Sequence, residues 1–309
     1  MWNINKKIKF TILLLFSAIH QTSVATTKIT VWDHTVNDPT EIIMDTLLRA
    51  LEITKPEYGD YQLITSIEME QGRALRELST RENSHLDLAH FAPTREREEQ
   101  AIVVRIPLIQ GLLGYRICLI KQGEQYKFSQ ITNKQQWLAS DLSIGQHKNW
   151  PDTLVLQNNG LNVKTTYKYE LLFQQLVKNR FDCFARGANE INYEQRNHRN
   201  LNLEIEKTII LHYPFPMFFF VNKNNPSLAK RLELGLSRLM EDGTSAQLFE
   251  HYYRTQIEDL NLKNRHIIEL NNPTLSKKTI QAMRQPNVIF QQRYLVRDIT
   301  PLRSKESDK

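Results

Sequence analysis

The residues of this 309-residue chain best placed to do chemistry are arginines and aromatics at the ends of apolar runs. The segment RFDCFARGANE (180–190) is the clearest case. Phe181-Asp182-Cys183-Phe184 alternates like a short buried strand, yet the run comes out with Arg186, then Gly187 and the amide-acid pair Asn189-Glu190. A guanidinium donates two parallel hydrogen bonds to a carboxylate or phosphate, which an ammonium cannot reproduce. Arg186 therefore either faces a cleft and takes an anionic group, or pairs with Glu190 or Glu194 at the surface. A second cluster is Trp150-Pro151-Asp152-Thr153. Proline suits the first turn of a helix, where a missing N–H costs nothing. Asp152 or Thr153 either caps that helix or leaves its free amides for an anionic group. Trp150 is either a stacking wall for a flat ligand or part of the core.

Other chemistries find little support. No Gly-x-Ser-x-Gly, no His-Glu-x-x-His and no metal-ligand spacing occurs, so neither a nucleophilic enzyme nor a metal or other cofactor is expected. His34 and His90 lie at strand ends and could act as bases, although a single histidine there is more often structural.

The elements that must position these groups alternate strand and helix. KITVW (28–32), YQLITSI (61–67) and LDLAHF (86–91) read as strands. Between them lie a helix with Ile43, Leu47, Ala50 and Leu51 on one face and a second helix over MEQGRALREL. This rhythm predicts a parallel sheet covered by helices. A second run begins near Gly114, with strands at 114–120 and 142–145, a short helix opening at WPDT, a helix over 165–178 and the RFDCF strand. MFFFVN then reads as a strand, a long helix starts at Ser227 and ends at Gly243, and a short helix follows. Two α/β runs followed by elements too few for a third domain predict that the chain returns to its first lobe. The expected division is 26–112 in lobe 1, 113–212 in lobe 2, 213–275 back in lobe 1, and a loosely held tail over 276–309. The crossings fall near 112–114 and 212–217. Ligands of open α/β sheets bind beyond the carboxyl ends of the strands, so the site belongs in the cleft between the lobes.

The N-terminus has the three-part plan of a secretory signal peptide over 1–25: a lysine-bearing start, an apolar run of about ten residues, and small residues before Thr26. The run is too short to span a bilayer. Cleavage after Ala25 and a periplasmic location are expected. Loss of Lys6, Lys7 and Lys9 lowers the formal charge from +6 to +3, which argues against a nucleic-acid partner. Cys118 and Cys183 each sit in an apolar run, and buried free thiols are expected in preference to a bridge.

Over about residues 28–260 the chain resembles the extracytoplasmic solute-binding proteins of family 3, the type that captures amino acids for ABC importers. The resemblance rests on Asp87 in LDLAHF, on Thr94-Arg95-Glu96-Arg97, on Ile106-Pro107-Leu108, and on YKYELLFQQLVKNRFD. The run from NKNNPSLAKRLELGL to FEHYY matches the family's C-terminal helices most closely. It implies a two-lobed, type II periplasmic-binding-protein-like α/β fold. It also implies that the arginine closing a Thr-x-x-Arg motif, here Thr94 to Arg97, grips the ligand's carboxylate. The alternative is that Arg97 is a solvated helix residue in TREREEQ, with Arg95 beside it. The chain departs from the family where His90, Phe91, Ala92 and Pro93 replace small hydroxyl residues, where Trp150-Pro151-Asp152-Thr153 replaces a Gly-Thr pair, and where Gly187 stands in place of an acid that pairs with the ligand's ammonium. An acid is thus lost and a cation, Arg186, placed nearby.

The function implied is binding of a small polar, anionic or zwitterionic solute by a monomer, without catalysis, for import through a membrane permease. Arg97, Thr94, Arg186, Asp152, Thr153, Trp150 and Trp32 form the expected site. The alternatives are a ligand-sensing subunit acting on a membrane signalling protein and, third, an enzyme resembling the prephenate dehydratases of this fold.

Overall fold

The computed structural model describes residues 26–38, 41–80 and 84–284. The signal-peptide segment and the last residues of the tail lie outside the described residues. Two mixed sheets form the two lobes. The first has the order β2-β1-β3-β11-β4, with β1 Thr27–Val31, β2 Tyr61–Thr65, β3 Leu88–Phe91, β4 Ile102–Val104 and β11 Phe218–Val221. The second has the order β12-β10-β5-β8-β6-β7 and takes β9 against β5. Its strands are β5 Tyr115–Lys121, β6 Ser143–His147, β7 Asn162–Thr166, β8 Cys183–Gly187, β9 Leu203–Ile205, β10 Ile209–His212 and β12 His266–Glu269.

The sheets are not wholly parallel as the alternation predicts. In the first, β1 runs parallel to β2 and β3, but the returning β11 is antiparallel to β3 and β4. In the second, β5 is antiparallel to β8, β9 and β10. Strands that enter a sheet from the other lobe arrive without a covering crossover helix, so nothing imposes the parallel sense on them. The run Phe218-Phe219-Phe220-Val221 is buried at every position because β11 is an inner strand with both faces covered.

Lobe 1 is closed by the helices Ile42–Ile53 and Pro226–Glu241, which pack on each other. The second starts as the sequence indicates: Asn225 accepts the Leu228 N–H with its side chain, and Pro226 takes the first turn. Buried Arg231 donates to the carbonyls of Leu51 and Gly59, satisfying the C-terminal end of the neighbouring helix. Gly243 ends the long helix in a left-handed conformation, but the helix after it, Thr244–Asp259, has sixteen residues and is not short.

The expected return of 213–275 to lobe 1 is corrected. The chain does cross back before β11, yet after the helix Thr244–Asp259 it crosses again, and β12 pairs in parallel with β10 in the second sheet. The β10 edge of the second sheet is thereby covered, which pairs its backbone donors and acceptors. The chain then returns once more. Ser276 caps the helix Lys277–Ala282, and both Ser276 and Thr279 donate to Glu98 of lobe 1, at 2.8 and 2.7 Å. Residues 276–284 are thus docked, contrary to the expectation of a loose tail.

The free-thiol expectation is likewise corrected: Cys118 on β5 and Cys183 on β8 are joined by a disulfide. The two strands are antiparallel neighbours, and the register puts Cys118 opposite Ala185, which brings both cysteines to one face.

The first two crossings run side by side, with Leu108 N–H donating to Met217 O at 3.0 Å and Tyr213 N–H to Gly114 O at 3.2 Å. A Cβ on Gly114 would collide with the Tyr213 carbonyl. Gly114→Ala is therefore expected to cost about 1–3 kcal/mol by overpacking against backbone that cannot move aside. A lowered urea midpoint with an unchanged slope checks this; an unchanged midpoint contradicts it.

Candidate functional site

A cleft of about 800 Å³ lies between the lobes, walled by the ends of both sheets and the helices that follow them. On the lobe 1 side the short helix Arg95–Gln100 follows β3. Thr94 begins it, its Oγ1 accepting the Arg97 N–H at 3.2 Å. This cap turns Arg97 inward and leaves Arg95 outside, where it donates to the Pro273 carbonyl. Thr94 itself does not line the cleft; it aims the arginine that does.

Arg97 is 9 % exposed. Its guanidinium donates to the Ala92 carbonyl at 2.9 Å and to Gln71 Oε1, and lies 5.6 Å from the centroid of the Phe91 ring. None of the ion pairs among the described residues includes Arg97. Burial pulls its pKa down to about 10, with Asp152 and Glu96 only partly offsetting the lost hydration. Trp32 also lines this wall, as expected from the sequence: Nε1 donates to Met69 O at 2.9 Å, and His34 stacks on the ring at 4.6 Å. His90 is hydrogen-bonded to Thr35 Oγ1 at 2.8 Å, and burial lowers its pKa against the opposing pull of Asp38. The histidine flanking the site is thereby held neutral.

The lobe 2 wall answers the question of Arg186. It faces the cleft and also pairs with both glutamates, in the interior and not at the surface. Its Nε donates to Glu194 at 2.7 and 2.8 Å, and Nη2 meets Glu190 at 2.5 Å and Glu194 at 2.6 Å. Its Cζ sits 4.6 Å from the Trp150 ring centroid. Burial works against the charge of Arg186, but Glu190 and Glu194 outweigh it and raise the pKa. Burial is also what raises the pKa of Glu190, against the pull of Arg186.

Asp152 does not cap its helix. It accepts from Tyr213 Oη at 2.5 Å and pairs with Arg116 Nη2 at 2.6 Å. Thr153 is not in the cleft wall; its hydroxyl donates to the His147 carbonyl. Trp150 unites its two alternatives, lining the cleft while packing against Phe184 and Arg186.

The two cations expected at the site are therefore not equivalent. Of the three guanidiniums in the cleft wall, Arg116 and Arg186 are matched by carboxylates, and only Arg97 is not. Six carboxylates line the cleft against those three cations, so it does not select an anion at each end. An acid does remain near the β8 tip, because Glu190 lies three residues beyond Gly187 and lines the cleft.

Sequence reasoning missed Arg116, Tyr169 and Asn189. Arg116 had a signal, a charge inside the otherwise apolar run Tyr115-Arg116-Ile117-Cys118, where a buried cation requires a partner. Tyr169 lies on the helix that the sequence places over 165–178, and its hydroxyl donates to Glu194 at 2.6 Å.

No known family model matches the chain, and no curated protein matches it by sequence. Solved structures do match by shape. One is a Salmonella typhimurium periplasmic binding protein described for high arginine specificity (12 % identity, TM-score 0.52, covering 74 % of this chain and all of that one). Another is the GluR0 ligand-binding core in complex with L-glutamate (16 % identity, TM-score 0.51, covering 74 % of this chain and 99 % of that one). A third comes from work on glutathione import through GshT and the cystine ABC importer of Streptococcus mutans (13 % identity, TM-score 0.52, covering 74 % and 95 %). At such identities the likeness speaks to the fold alone: this chain has the two-lobed α/β fold of the type II periplasmic binding proteins.

Proposed function

We propose that the chain binds a small amino-acid-like solute between its lobes and hands it to the membrane permease of an ABC importer. The observation that carries this reading is Arg97: a buried cation facing a cleft, with neutral hydrogen-bond partners and no carboxylate. A guanidinium so placed is unfavourable until an anion meets it, and the planar carboxylate of an amino acid fits its fork. The cleft as a whole carries six carboxylates, three on each wall, against three guanidiniums, which suits a ligand that also bears an ammonium or guanidinium. The solute is therefore zwitterionic or has a basic side chain, and a dianion is disfavoured. Similar folds whose descriptions speak of arginine, glutamate and import add support. Binding in place of turnover fits Asp152 and Glu194, whose oxygens are already engaged by arginine and tyrosine partners. Closure of the two lobes over the solute would follow from bending of the crossing segments.

A thermal-shift screen of the L-amino acids, dicarboxylates and small aromatic acids tests the reading. A ligand at a hundredfold its Kd stabilises the bound state by about 2.7 kcal/mol, or roughly 5–10 °C for a protein of this size class. Basic and neutral L-amino acids are expected to give the shifts. If millimolar amino acids all leave the melting temperature where it was, the reading fails.

A further inference from the structure

The three guanidiniums of the cleft wall are held in two ways. Arg116 Nη2 meets Asp152 at 2.6 Å, and Arg186 Nη2 meets Glu190 at 2.5 Å. Arg97 is held by neutral oxygens instead: Nη1 donates to the Ala92 carbonyl at 2.9 Å and Nη2 donates to Gln71 Oε1. Both acceptors belong to lobe 1, Ala92 just beyond β3 and Gln71 at the start of the helix Gln71–Ser79. Each bond uses one N–H of a different nitrogen, so the plane of the fork is fixed while other donors of the guanidinium remain. Gln71 lines the cleft beside Arg97.

Glutamine is not what the local structure favours at position 71. It is the first residue of its helix, after Glu70, whose side chain makes no capping bond. A carboxylate in a first turn is stabilised by the helix dipole, and a carboxylate beside an arginine by a charge-assisted hydrogen bond. Glutamate, with the same shape and reach, would satisfy both, and the segment already carries Glu68 and Glu70. It would also cancel the charge on which binding of an anion depends, as Glu190 and Glu194 do for Arg186. The neutral amide forgoes that stabilisation, orients the guanidinium and leaves its charge unanswered.

We propose that Gln71 is a positioning residue: its amide oxygen fixes the plane of the Arg97 fork, and its neutrality keeps that arginine available to a ligand carboxylate. This rests on the reading of Arg97 given above. Residue 71, which need not touch the ligand, then decides whether lobe 1 offers a carboxylate site at all.

Calorimetry with L-arginine against L-argininamide, and L-leucine against L-leucinamide, tests it. Each pair differs in whether the carboxylate is there. For whichever amino acid binds, the unaltered protein is expected to prefer it over its amide by about thirtyfold or more. Gln71→Glu should cut that preference below about threefold, while binding of the amide holds or improves. Gln71→Met keeps the length without the amide and should cut the preference by about tenfold, the usual worth of a hydrogen bond to a charged group. A side chain that only packs would change acid and amide alike and leave their ratio where it was. Without ligand, Gln71→Glu is expected to melt no lower than the unaltered protein, because the buried cation gains a countercharge. Should that variant misfold, Gln71→Met decides the matter. An unchanged ratio in either folded variant overturns the proposal while the Arg97 reading stands. Absence of binding by both amino acids, an amino acid bound no better than its amide, or a ratio unaltered by Arg97→Ala overturns the reading and this inference with it.

Discussion

Arg97→Ala is expected to weaken binding of an amino-acid ligand by about thirty- to several-thousandfold, the range for deleting one partner of a buried hydrogen-bonded charge pair. The ligand carboxylate would be left with its countercharge gone in a cleft of six carboxylates and two guanidiniums that are already paired. Arg97→Lys should recover only part of the loss, because an ammonium supplies the charge without the two parallel donors. Stability of the ligand-free protein should respond differently. The guanidinium has no carboxylate there, so its removal forfeits the bonds to Ala92 and Gln71 and at the same time lifts an uncompensated buried charge. A large loss of affinity beside a small change in melting temperature is thus the signature. Calorimetry giving the same affinity in Arg97→Ala would take this residue out of the site.

The second large effect concerns the bridge between β5 and β8. It closes a loop of 65 residues. Loop-closure entropy for that length amounts to about 4 kcal/mol in the unfolded chain, and native-state geometry makes the realised value smaller or larger. Cys118→Ala with Cys183→Ala should lower the melting temperature by roughly 10 °C. Reductant should bring the unaltered protein down to the same value and leave the double variant where it is. Equal melting temperatures with and without reductant would mean that the bridge contributes nothing. The same strands carry Arg116 and Arg186, on neighbouring register positions, so loosening the pair also loosens the cleft wall.

Much of the fold was legible because its elements are periodic. The helix Ile42–Ile53 shows its buried face as Ile43, Leu47, Ala50 and Leu51, and the helix Pro226–Glu241 announces both its cap and its stop. The strand β12 was not legible. His266-Ile267-Ile268-Glu269 has four residues with only Ile268 buried, and it is a strand because β10 offers it an edge. The docked helix Lys277–Ala282 was hidden in the same way, since its anchor is Glu98, far away in the sequence.

The candidate site divides along the same line. Thr94 and Arg97 were visible because a cap and the residue it orients are three positions apart on one helix turn. The state of Arg186 was not, although both of its partners were named in advance. Whether Glu190 and Glu194 meet it at the surface or in the interior depends on how the helix Ile191–Asn197 folds back over β8, and on Trp150 arriving from another segment to cover the guanidinium.

What the sequence determined alone is the set of short-range choices: strand and helix alternation, helix ends, and the cap that turns Arg97 inward. Backbone propensity and hydrophobic period act over a few residues and can be read there. Only the tertiary structure decided the charge balance of the cleft, the cysteine bridge and the last crossings. Each of these depends on groups distant along the chain being brought within a few ångströms, where burial strengthens every pairing and makes each missing one costly.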